Sequence, residues 1–508
     1  MYTDTKNTKL SPQTKTFLFT LLAFTISLPL RADTSSGTLS IANVSKNSGA
    51  VKQFCESVGD GKQILVVGND DATALQFRRQ LATLPDLSIT FVPKCERNEL
   101  IEQAKSLDGV WLSNETDGET VSALADRGLF VGCDSAVAES LCSRTDHQRS
   151  DDRVPSVEEF CLLSRIRFIL GDGLNEGRES DSSRLIIKVP DGAQLFVSGR
   201  RLWSLGVPCL VELPAAEGSD TTESISIGKQ KVDLVALQRQ LRNRTVGQRP
   251  TSEVRPLTAG ALLLAGGGQL PDSVVRCFVE LAGSDEANIV VLPTAVSDPI
   301  PEEQWIAKRF LAIGAGSVTV LPERKRADVE SDKFLAAMNE ATAIWFGGGR
   351  QWRFVDAYEG TKALDAMHAV LSRGGVIGGS SAGASIQADY LARGNPLGNR
   401  NIMAKGYERG FAFLSGTAVD QHFTKRGRIG EMQELVRAHP EVLGIGIDEQ
   451  TAIVVQGANA RVVGQGNVFF ISPRLAASSD QDNAPVVKLE AGDIFNLVEF
   501  VVESVTPP

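Results

Sequence analysis

Residues 374–386 read GGVIGGSSAGASI, an apolar strand-like run that passes through small residues into a helix-like stretch. Other strand-like runs alternate with helical patterns from residue 257 onward, and two of them end in triple glycines at 266–268 and 347–349. Such alternation predicts a parallel sheet with helices on both faces, and these folds place ligands at the carboxyl edge of the strands. The sequence therefore predicts an α/β domain with a candidate site where these strands end.

A nucleophile motif lies in this run, because Gly379, Ser381 and Gly383 fit the pattern G-x-S-x-G. A serine on a sharp strand-to-helix turn projects its hydroxyl from the sheet edge, and the helix N-terminus offers amides to a developing oxyanion. Ser381 is therefore the candidate nucleophile. The motif alone leaves open a glycine- and serine-rich turn without chemistry.

A serine nucleophile needs a base, and the chain has 4 His. His147 lies in a charged segment, His368 in a helix-like run and His439 before a proline. His422, in contrast, follows a strand-like run and lies among polar side chains. We predict His422 as the general base, with His439 as the second candidate.

An orienting acid is expected near residues 444–455, where Asp448 and Glu449 interrupt an apolar pattern. Burying a carboxylate between strands is costly unless it is paired, so a partner such as an imidazolium is expected. A turn that uses its side chain for local hydrogen bonds suits Asp448 better, which favours Glu449 as the acid. The resulting order of serine, histidine and acid excludes an α/β-hydrolase, in which the acid precedes the histidine.

Composition limits the class of protein. The 508 residues are enough for roughly three domains, and 42% hydrophobic with 22% charged residues excludes a disordered or fibrous protein. The formal net charge of -10 repels phosphate backbones, so no nucleic-acid partner is expected. No cysteine and histidine cluster has zinc spacing, and neither a metal nor an organic cofactor is implied. Six of the 7 Cys lie in the first half, enough for three disulfides whose pairing the sequence does not fix.

The N-terminus is typical of a secretory signal, with lysines followed by an apolar run at residues 17–30. About 14 apolar residues are too few to span a bilayer comfortably and suit a cleaved signal peptide. We predict a signal peptide at residues 1–32 and a protein exported to the periplasm or the extracellular space, with no membrane span after cleavage. An uncleaved anchor is the alternative.

The rest of the chain divides at changes of composition. Residues 33–60 are rich in Ser, Thr and Gly, which predicts a flexible leader. Residues 61–239 predict an N-terminal α/β domain with a small β-rich part at 184–235. Residues 240–256 carry many charges and two prolines, which favours a linker, and 257–508 is the predicted catalytic domain.

An internal similarity connects the two domains. Residues 128–140 resemble residues 374–386 and place Ser135 opposite Ser381. We hypothesise that the first domain is a divergent, non-catalytic copy of the second, which binds substrate, shapes the cleft or mediates formation of a homodimer. Two parallel-sheet strands that are alike only in composition are the alternative.

Four motifs, in order along the chain, carry a family resemblance: AIWFGGGRQ at 343–351, GGSSAGA at 378–384, DQHFTKRGR at 420–428 and GIGIDE at 444–449. With them, residues 257–496 resemble cyanophycinase and the serine peptidase family that includes aspartyl dipeptidase (peptidase E). The resemblance implies a flavodoxin-like, class I glutamine-amidotransferase-like parallel sheet. It also implies a role for each matching residue: Ser381 as nucleophile, His422 as base, Glu449 as acid, Gly348 and Ala382 as oxyanion amides, and Gln351, Asp420, Gln421, Arg426 and Arg428 as substrate-binding residues.

This family cleaves cyanophycin, an Asp backbone that carries an Arg on each β-carboxyl, into β-aspartyl-arginine dipeptides. The resemblance therefore implies an exported serine peptidase that hydrolyses cyanophycin, or a related polymer, through an acyl-enzyme. A dipeptidase for Asp-X peptides and a catalytically silent binding protein are the alternatives. Two departures leave the substrate open, because Arg350 stands where the family usually has Asp and Glu431 stands where it has a third arginine.

Overall fold

The computed structural model describes most of the C-terminal half of the chain and separate parts of the N-terminal half. The described residues are 38–42, 50–58, 62–67, 88–92, 100, 106–112, 124, 130–133, 166–170, 185–215, 222–245, 253–301, 304–475 and 484–503. The signal peptide predicted at residues 1–32 lies outside them, as do Ser135 and His147.

The N-terminal half builds two sheets. Its strands are Thr38–Ala42 (β1), Gln63–Val67 (β2), Ser88–Val92 (β3), Gly109–Leu112 (β4), Phe130–Cys133 (β5), Ile166–Leu170 (β6), Leu185–Val189 (β7), Ala193–Ser198 (β8), Arg201–Gly206 (β9), Cys209–Leu213 (β10), Glu223–Ile227 (β11) and Val232–Asp233 (β12). Its described helices are Ala50–Val58 (α1) and Leu234–Thr245 (α2). Eight strands pair in the order β12-β9-β8-β1-β5-β4-β2-β3, and four in the order β11-β10-β7-β6.

Two predicted segments of this half differ in the structure. The flexible leader predicted at 33–60 contains β1 and α1, because β1 pairs on both sides within the larger sheet. Its polar residue Ser40 is buried and accepts a hydrogen bond from Gln194 Nε2 at 2.7 Å. The β-rich part at 184–235 holds six strands, and three of these, β8, β9 and β12, extend the larger sheet rather than forming an insert.

The linker predicted at 240–256 begins inside a helix, since α2 runs to Thr245. The charges that suggested a linker are used within the fold. Arg244 donates from Nη1 to the Pro214 carbonyl at 2.9 Å. Residues 240–245 of the predicted linker therefore belong to a helix.

The C-terminal half also builds two sheets. Its strands are Ala261–Ala265 (β13), Asn288–Leu292 (β14), Ser317–Val320 (β15), Ala343–Phe346 (β16), Val376–Ser380 (β17), Ala388–Tyr390 (β18), Leu414–Gln421 (β19), Leu443–Ile447 (β20), Thr451–Gln456 (β21), Asn459–Gly464 (β22), Val468–Ile471 (β23), Val486–Leu489 (β24), Ile494–Asn496 (β25) and Val501–Glu503 (β26). Its α-helices are Asp272–Leu281 (α3), Trp305–Ile313 (α4), Arg326–Val329 (α5), Asp332–Glu340 (α6), Gln351–Tyr358 (α7), Lys362–Ser372 (α8), Ala382–Ser385 (α9) and Ile429–Ala438 (α10).

Nine of these strands pair in the order β15-β14-β16-β17-β13-β21-β22-β25-β26, and five in the order β18-β19-β20-β23-β24. Strands β13 to β17 run parallel, and β13 and β16 are buried along their whole length, which explains their uninterrupted apolar sequences. From β21 onward the larger sheet is antiparallel, because β21 and β22 are joined by a short hairpin that parallel strands cannot use. The sheet predicted as parallel is therefore mixed.

The parallel strands bring the candidate site residues to one edge. Strands β13, β16 and β17 are followed by Gly266, Gly347 and Ser381. The carboxyl ends of neighbouring parallel strands meet at the same edge of a sheet. Apolar clusters lie on both faces, with Phe346 in one and Trp345 in the other, so the strands that carry the site are held from both sides.

Two of the described cysteines are buried thiols. Cys55 and Cys209 are free and buried, so three disulfides among the first six cysteines do not form. Burial raises the pKa of Cys55 to about 12 and that of Cys209 to about 11, which keeps both protonated at neutral pH. Within the described ranges, no helix is both long and apolar enough to cross a membrane.

Candidate active site

Ser381 occupies a strained turn between β17 and α9. Its φ of 56° and ψ of -113° are values that a non-glycine residue rarely adopts. The Ser381 amide donates to the Ala265 carbonyl at 2.9 Å, which fixes the turn to β13. The motif needs its small residues, since a Cβ on Gly383 would lie 2.0 Å from the Phe346 carbonyl oxygen. The backbone therefore sets the position of the Ser381 hydroxyl.

The structure brings the three predicted catalytic side chains together. Ser381 Oγ lies 2.9 Å from His422 Nε2, and His422 Nδ1 lies 2.7 Å from Glu449 Oε1. His422 follows β19 and Glu449 follows β20, two parallel neighbours in the smaller sheet. The His422 amide donates to the Gly266 carbonyl at 2.9 Å, which joins this sheet to the larger one beside Ser381. The imidazole thus lies between a hydroxyl and a carboxylate, the arrangement of a nucleophile, its base and an orienting acid.

Charges around the imidazole favour the protonation states that a base and its acid need. Burial lowers the pKa of His422; the hydrogen bond to Glu449 opposes this effect, and the Arg426 and Arg428 charges reinforce it. The Lys425 ammonium donates to Glu449 Oε2 at 2.7 Å and lowers the pKa of that carboxyl. At neutral pH the imidazole is therefore neutral and can accept a proton, while Glu449 is ionised.

Asp448, the neighbour of the candidate acid, uses its carboxylate locally. Its Oδ1 accepts hydrogen bonds from the Thr424 amide at 2.9 Å and the Thr424 hydroxyl at 2.7 Å. Its Oδ2 accepts from the Asn467 amide at 3.3 Å. Asp448 therefore stabilises the turn that follows His422, which leaves Glu449 as the carboxylate that contacts the imidazole.

The other described histidines have structural contacts. His439, the second candidate base, ends α10 with its ring 4.7 Å from that of Tyr390. The His368 ring lies 4.4 Å from that of Phe413. In the part of the chain that the structure describes, no group of three or more His, Cys, Asp or Glu side chains is placed to hold a metal ion.

The two predicted oxyanion amides belong to segments that adjoin Ser381. Ala382 opens α9, and the first amides of a helix have no intrahelical partner. A Cβ on Gly348 would lie 3.6 Å from Ser381 Cβ, which places the loop after β16 against the nucleophile. The Arg350 amide donates to the Ala295 carbonyl at 2.9 Å and holds this loop in place.

Two predicted substrate-binding residues, Asp420 and Arg428, lie in a buried charge cluster. Asp420 is fully buried and accepts hydrogen bonds from Arg393 Nε at 3.0 Å and Arg428 Nη1 at 2.7 Å. Arg428 also donates to the Gln421 carbonyl at 2.6 Å, and burial lowers its pKa to about 10. Asp420 therefore forms buried ion pairs with both Arg428 and Arg393.

The other predicted substrate-binding residues differ in exposure. Gln351, the first residue of α7, is buried and donates from Nε2 to the Ala392 carbonyl at 3.2 Å. Gln421 is buried with its Nε2 3.4 Å from Ser385 Oγ. Arg426 is exposed in the turn after β19. Among these residues, Arg426 therefore presents its guanidinium to solvent.

Arg350 and Glu431 both contact the segment formed by residues 391–409, which we call loop 391–409. Arg350 donates from Nη2 to the Gly398 carbonyl at 2.7 Å. Glu431 accepts a hydrogen bond from Arg393, the loop arginine that also binds the buried aspartate. Arg350 and Glu431 therefore both hold this loop.

Sequence reasoning noted the triple glycine after β13 but assigned it no role, and it missed two other contributors to the site, Lys425 and Arg393. A Cβ on Gly267 would lie 2.4 Å from His422 Cε1, so the glycine lets the imidazole pack directly on this backbone. The His422 amide donates to the Gly266 carbonyl at 2.9 Å. The triple glycine at a strand end was the available signal, whereas Arg393 lies in an irregular loop that carries none.

The model of peptidase family S51 matches residues 262–463. The cyanophycinase of Synechococcus elongatus is 30% identical over 253 residues, which cover 46% of this chain and 78% of that protein. The chain belongs to peptidase family S51. The cyanophycinase of Trichormus variabilis is likewise 30% identical over 225 residues, which cover 42% of this chain and 74% of that protein.

Membership of family S51 makes this chain a serine-type peptidase with cyanophycinase-like relatives. The matched range includes Ser381, His422 and Glu449 and leaves the N-terminal half outside. A crystal structure of a peptidase from an acI-B1 Actinobacterium is 22% identical and aligns with 48% of this chain and 98% of that chain, at a TM-score of 0.37.

Proposed function

We propose that this S51 peptidase hydrolyses cyanophycin, or a related polymer of isopeptide-linked Asp and Arg, to β-aspartyl-arginine dipeptides. The observation that carries the chemistry is the chain of contacts from Ser381 Oγ to His422 at 2.9 Å and from His422 to Glu449 at 2.7 Å. The substrate class is supported by the relatives from Synechococcus elongatus and Trichormus variabilis, both of which are named cyanophycinase.

The proposed mechanism passes through an acyl-enzyme. His422 Nε2 takes the proton of Ser381 Oγ as this oxygen attacks the scissile carbonyl, and the amides of Gly348 and Ala382 stabilise the oxyanion. His422 then protonates the leaving amine, the C–N bond breaks, and an ester on Ser381 remains. Water attacks this ester as His422 accepts its proton, and the proton returns to Ser381 when the carboxylic acid product leaves. Glu449 keeps the Nδ1 proton in place throughout.

Among the predicted substrate-binding residues, we assign substrate contact to the exposed one and structural support to the buried ones. We assign Arg426 to a substrate carboxylate, because this residue is exposed in the turn after His422 and a guanidinium can form a bidentate pair. Asp420, Gln421 and Arg428 support the wall of the site through their mutual hydrogen bonds, and Gln351 supports loop 391–409.

A flavodoxin-like, class I glutamine-amidotransferase-like fold is proposed for this domain. Strands β15-β14-β16-β17 keep the relative order 2-1-3-4 of that fold, and β13 occupies the place of the fifth strand although it comes first along the chain. We also propose export, on the strength of the apolar run at residues 17–30 after the N-terminal lysines. N-terminal sequencing of protein recovered from periplasm or medium should begin at Asp33, and a retained Met1 would contradict cleavage.

The substrate is tested with purified protein, residues 33–508, and insoluble cyanophycin, with soluble products identified by mass spectrometry. We expect β-aspartyl-arginine as the product. Cleavage of small Asp-X peptides without any release from cyanophycin would contradict this proposal and favour the dipeptidase alternative. Adsorption to the polymer without release of any product would favour the silent binding protein.

A further inference from the structure

The two halves of the chain share one strand topology. The first eight strands of the larger C-terminal sheet run β15-β14-β16-β17-β13-β21-β22-β25, with β26 added at the edge, and the larger N-terminal sheet runs β3-β2-β4-β5-β1-β8-β9-β12. Counted from the first strand of each half, and with the short β18 set aside, the strands occupy the same places. The smaller sheets, β19-β20-β23-β24 and β6-β7-β10-β11, also agree, each with one parallel pair followed by antiparallel pairs. If only two strands were alike, and only in composition, the remaining strands would not occupy corresponding places; here twelve strands of each half do.

A packing contact at the centre of each larger sheet is repeated. It joins a glycine on the fifth strand, a tryptophan on the fourth and a phenylalanine on the first helix: Gly378, Trp345 and Phe278 in one half, and Gly132, Trp111 and Phe54 in the other. The aromatic ring centroids are 4.9 Å apart at 71° in the first set and 5.2 Å apart at 67° in the second. A Cβ on either glycine would lie within 2.8 Å of the tryptophan, so both halves depend on the same missing side chain.

The turns around the antiparallel hairpins also coincide. Gly192 precedes β8 with a φ of 80°, and Gln450 precedes β21 with a φ of 61°. Gly206 and Gly464 end the second strands of these hairpins. A Cβ on Gly206 would lie 2.1 Å from the Gly192 carbonyl oxygen, and a Cβ on Gly464 would lie 2.3 Å from that of Gln450.

These matching positions locate the counterparts of the catalytic side chains by sequence interval. The counterparts are Ser135 for Ser381, Gly171 for His422 and Asp191 for Glu449. Ser135 and Gly171 lie outside the described residues, and their places follow from the intervals to Gly132 and to the end of β6. By these intervals the N-terminal half keeps a serine and a carboxylate but has glycine where the other half has its base, so we expect this serine to lack the matching proton acceptor.

Arg200, in the turn between β8 and β9, reaches from this half into the peptidase half. Its guanidinium donates to Asp233 at 3.0 Å, to Asp356 at 2.7 Å and to the Tyr407 hydroxyl at 2.5 Å. It also lies 4.2 Å from the ring centroid of Trp352. Only 9% of Arg200 is exposed, so its charge depends on these partners, and its planar fork fits three of them at once.

A second arginine of the N-terminal half also contacts the peptidase half. Arg239 on α2 donates from Nε to the Gly406 carbonyl at 2.5 Å, and its Nη2 lies 2.8 Å from Glu359 Oε2. Apart from Asp233 on β12, the partners of the two arginines lie on or next to α7 and in loop 391–409. These are the elements that carry Gln351 and Arg393 beside the Ser381 site.

We propose that the N-terminal half is a second copy of the S51 fold without a base, and that Arg200 is the positioning residue through which this copy holds α7 and loop 391–409. The catalytic side chains follow β17, β19 and β20 and are not held by Arg200. Loss of the Arg200 guanidinium should therefore weaken substrate binding more than it lowers the reactivity of Ser381. The effect on substrate binding rests on the proposed function; the labelling and exchange measurements below do not.

The positioning role is tested with Arg200→Lys, which keeps the charge and loses the fork. The control is Lys188→Met, which removes a partly buried ion pair that lies wholly inside the N-terminal half, Lys188 Nζ to Glu212 at 2.6 Å. We expect KM for dipeptide release to rise roughly tenfold in Arg200→Lys, with little change in kcat. Amide hydrogen exchange should accelerate in α7 and loop 391–409. The control should show neither effect.

A merely structural role would give a different pattern, because a smaller folded fraction lowers kcat and the extent of active-site labelling but leaves KM unchanged. Unchanged KM together with unchanged exchange in Arg200→Lys would overturn the positioning role. If Arg200→Lys does not fold, the neutral variant Arg200→Met with Asp233→Asn and Asp356→Asn leaves no unpaired buried charge and is measured in its place.

The absence of a second active site is tested with a serine-directed fluorophosphonate probe on the full chain. Wild type should be labelled at Ser381, Ser135→Ala should be labelled equally, and Ser381→Ala should not be labelled. Labelling of Ser135 in Ser381→Ala would overturn the claim that this copy lacks a base. If wild type is labelled but releases nothing from cyanophycin, the proposed substrate fails, while the labelling and exchange results still decide the inference about the N-terminal half.

Discussion

Replacing Gly267 with alanine should disable the imidazole without changing a catalytic side chain. Gly267 has a φ of 101°, and a Cβ there would lie 2.4 Å from His422 Cε1 and 2.8 Å from Nε2. Ordinary contacts begin near 3.4 Å. The ring must therefore move by about 1 Å, which breaks its 2.9 Å contact with Ser381, and a misplacement of this size costs about 10²-fold in rate.

The backbone cost of this substitution can be separated from its effect on the imidazole. Gly374 has a φ of 95° and no atom within 4 Å of a built Cβ, so Gly374→Ala has the same backbone strain, about 1–2 kcal/mol, without the contact. Thermal unfolding should show similar losses of stability in the two variants. Dipeptide release should show a loss of kcat/KM in Gly267→Ala alone. Equal kcat/KM in the two variants would refute the reasoning.

Three further predictions concern the charges of the site. Burial lowers the pKa of His422, so the acid limb of kcat/KM against pH should lie below 6.5, and a limb above this value would contradict a desolvated base. Lys425→Met should move the limb to higher pH, because the carboxylate no longer neutralised by the ammonium stabilises the imidazolium more strongly; an unmoved limb would count against this contact. Asp420→Asn should lower the free energy of unfolding in urea by about 3–5 kcal/mol, because Arg393 and Arg428 lose their buried counter-charge. A loss of only about 1 kcal/mol, the size of an exposed pair, would show that solvent reaches the cluster.

The catalytic side chains could be recognised in the sequence because each lies in a local pattern. Ser381 lies in a glycine-rich passage from strand to helix, and His422 and Glu449 each follow an apolar run. Ends of parallel strands meet at one edge, so the patterns of His422 and Glu449 predict neighbours in one sheet. The contact of that sheet with the turn at Ser381, which lies in the other sheet, required the structure. The choice between Asp448 and Glu449 could also be made locally, since a turn uses the nearer carboxylate for its own amides.

The buried charge cluster beside the site could not be predicted from the sequence in this way. Arg393 lies in loop 391–409, where no periodicity indicates which side chains point inward, and its partner Asp420 lies on a different strand. The boundaries of the N-terminal half were missed for a similar reason. Ser40 favours solvent by composition, and only the sheet around β1 supplies the hydrogen bond from Gln194 that allows its burial.

The central claim is that Ser381, with His422 and Glu449, forms the active site of this S51 peptidase. The most direct measurement is the rate of dipeptide release by wild type, Ser381→Ala and the variant in which all three residues are alanine. The account predicts that Ser381→Ala alone loses roughly 10⁴–10⁶-fold in kcat and that the triple variant loses no more, because the three side chains act as a unit. Release by Ser381→Ala at the wild-type rate would contradict it.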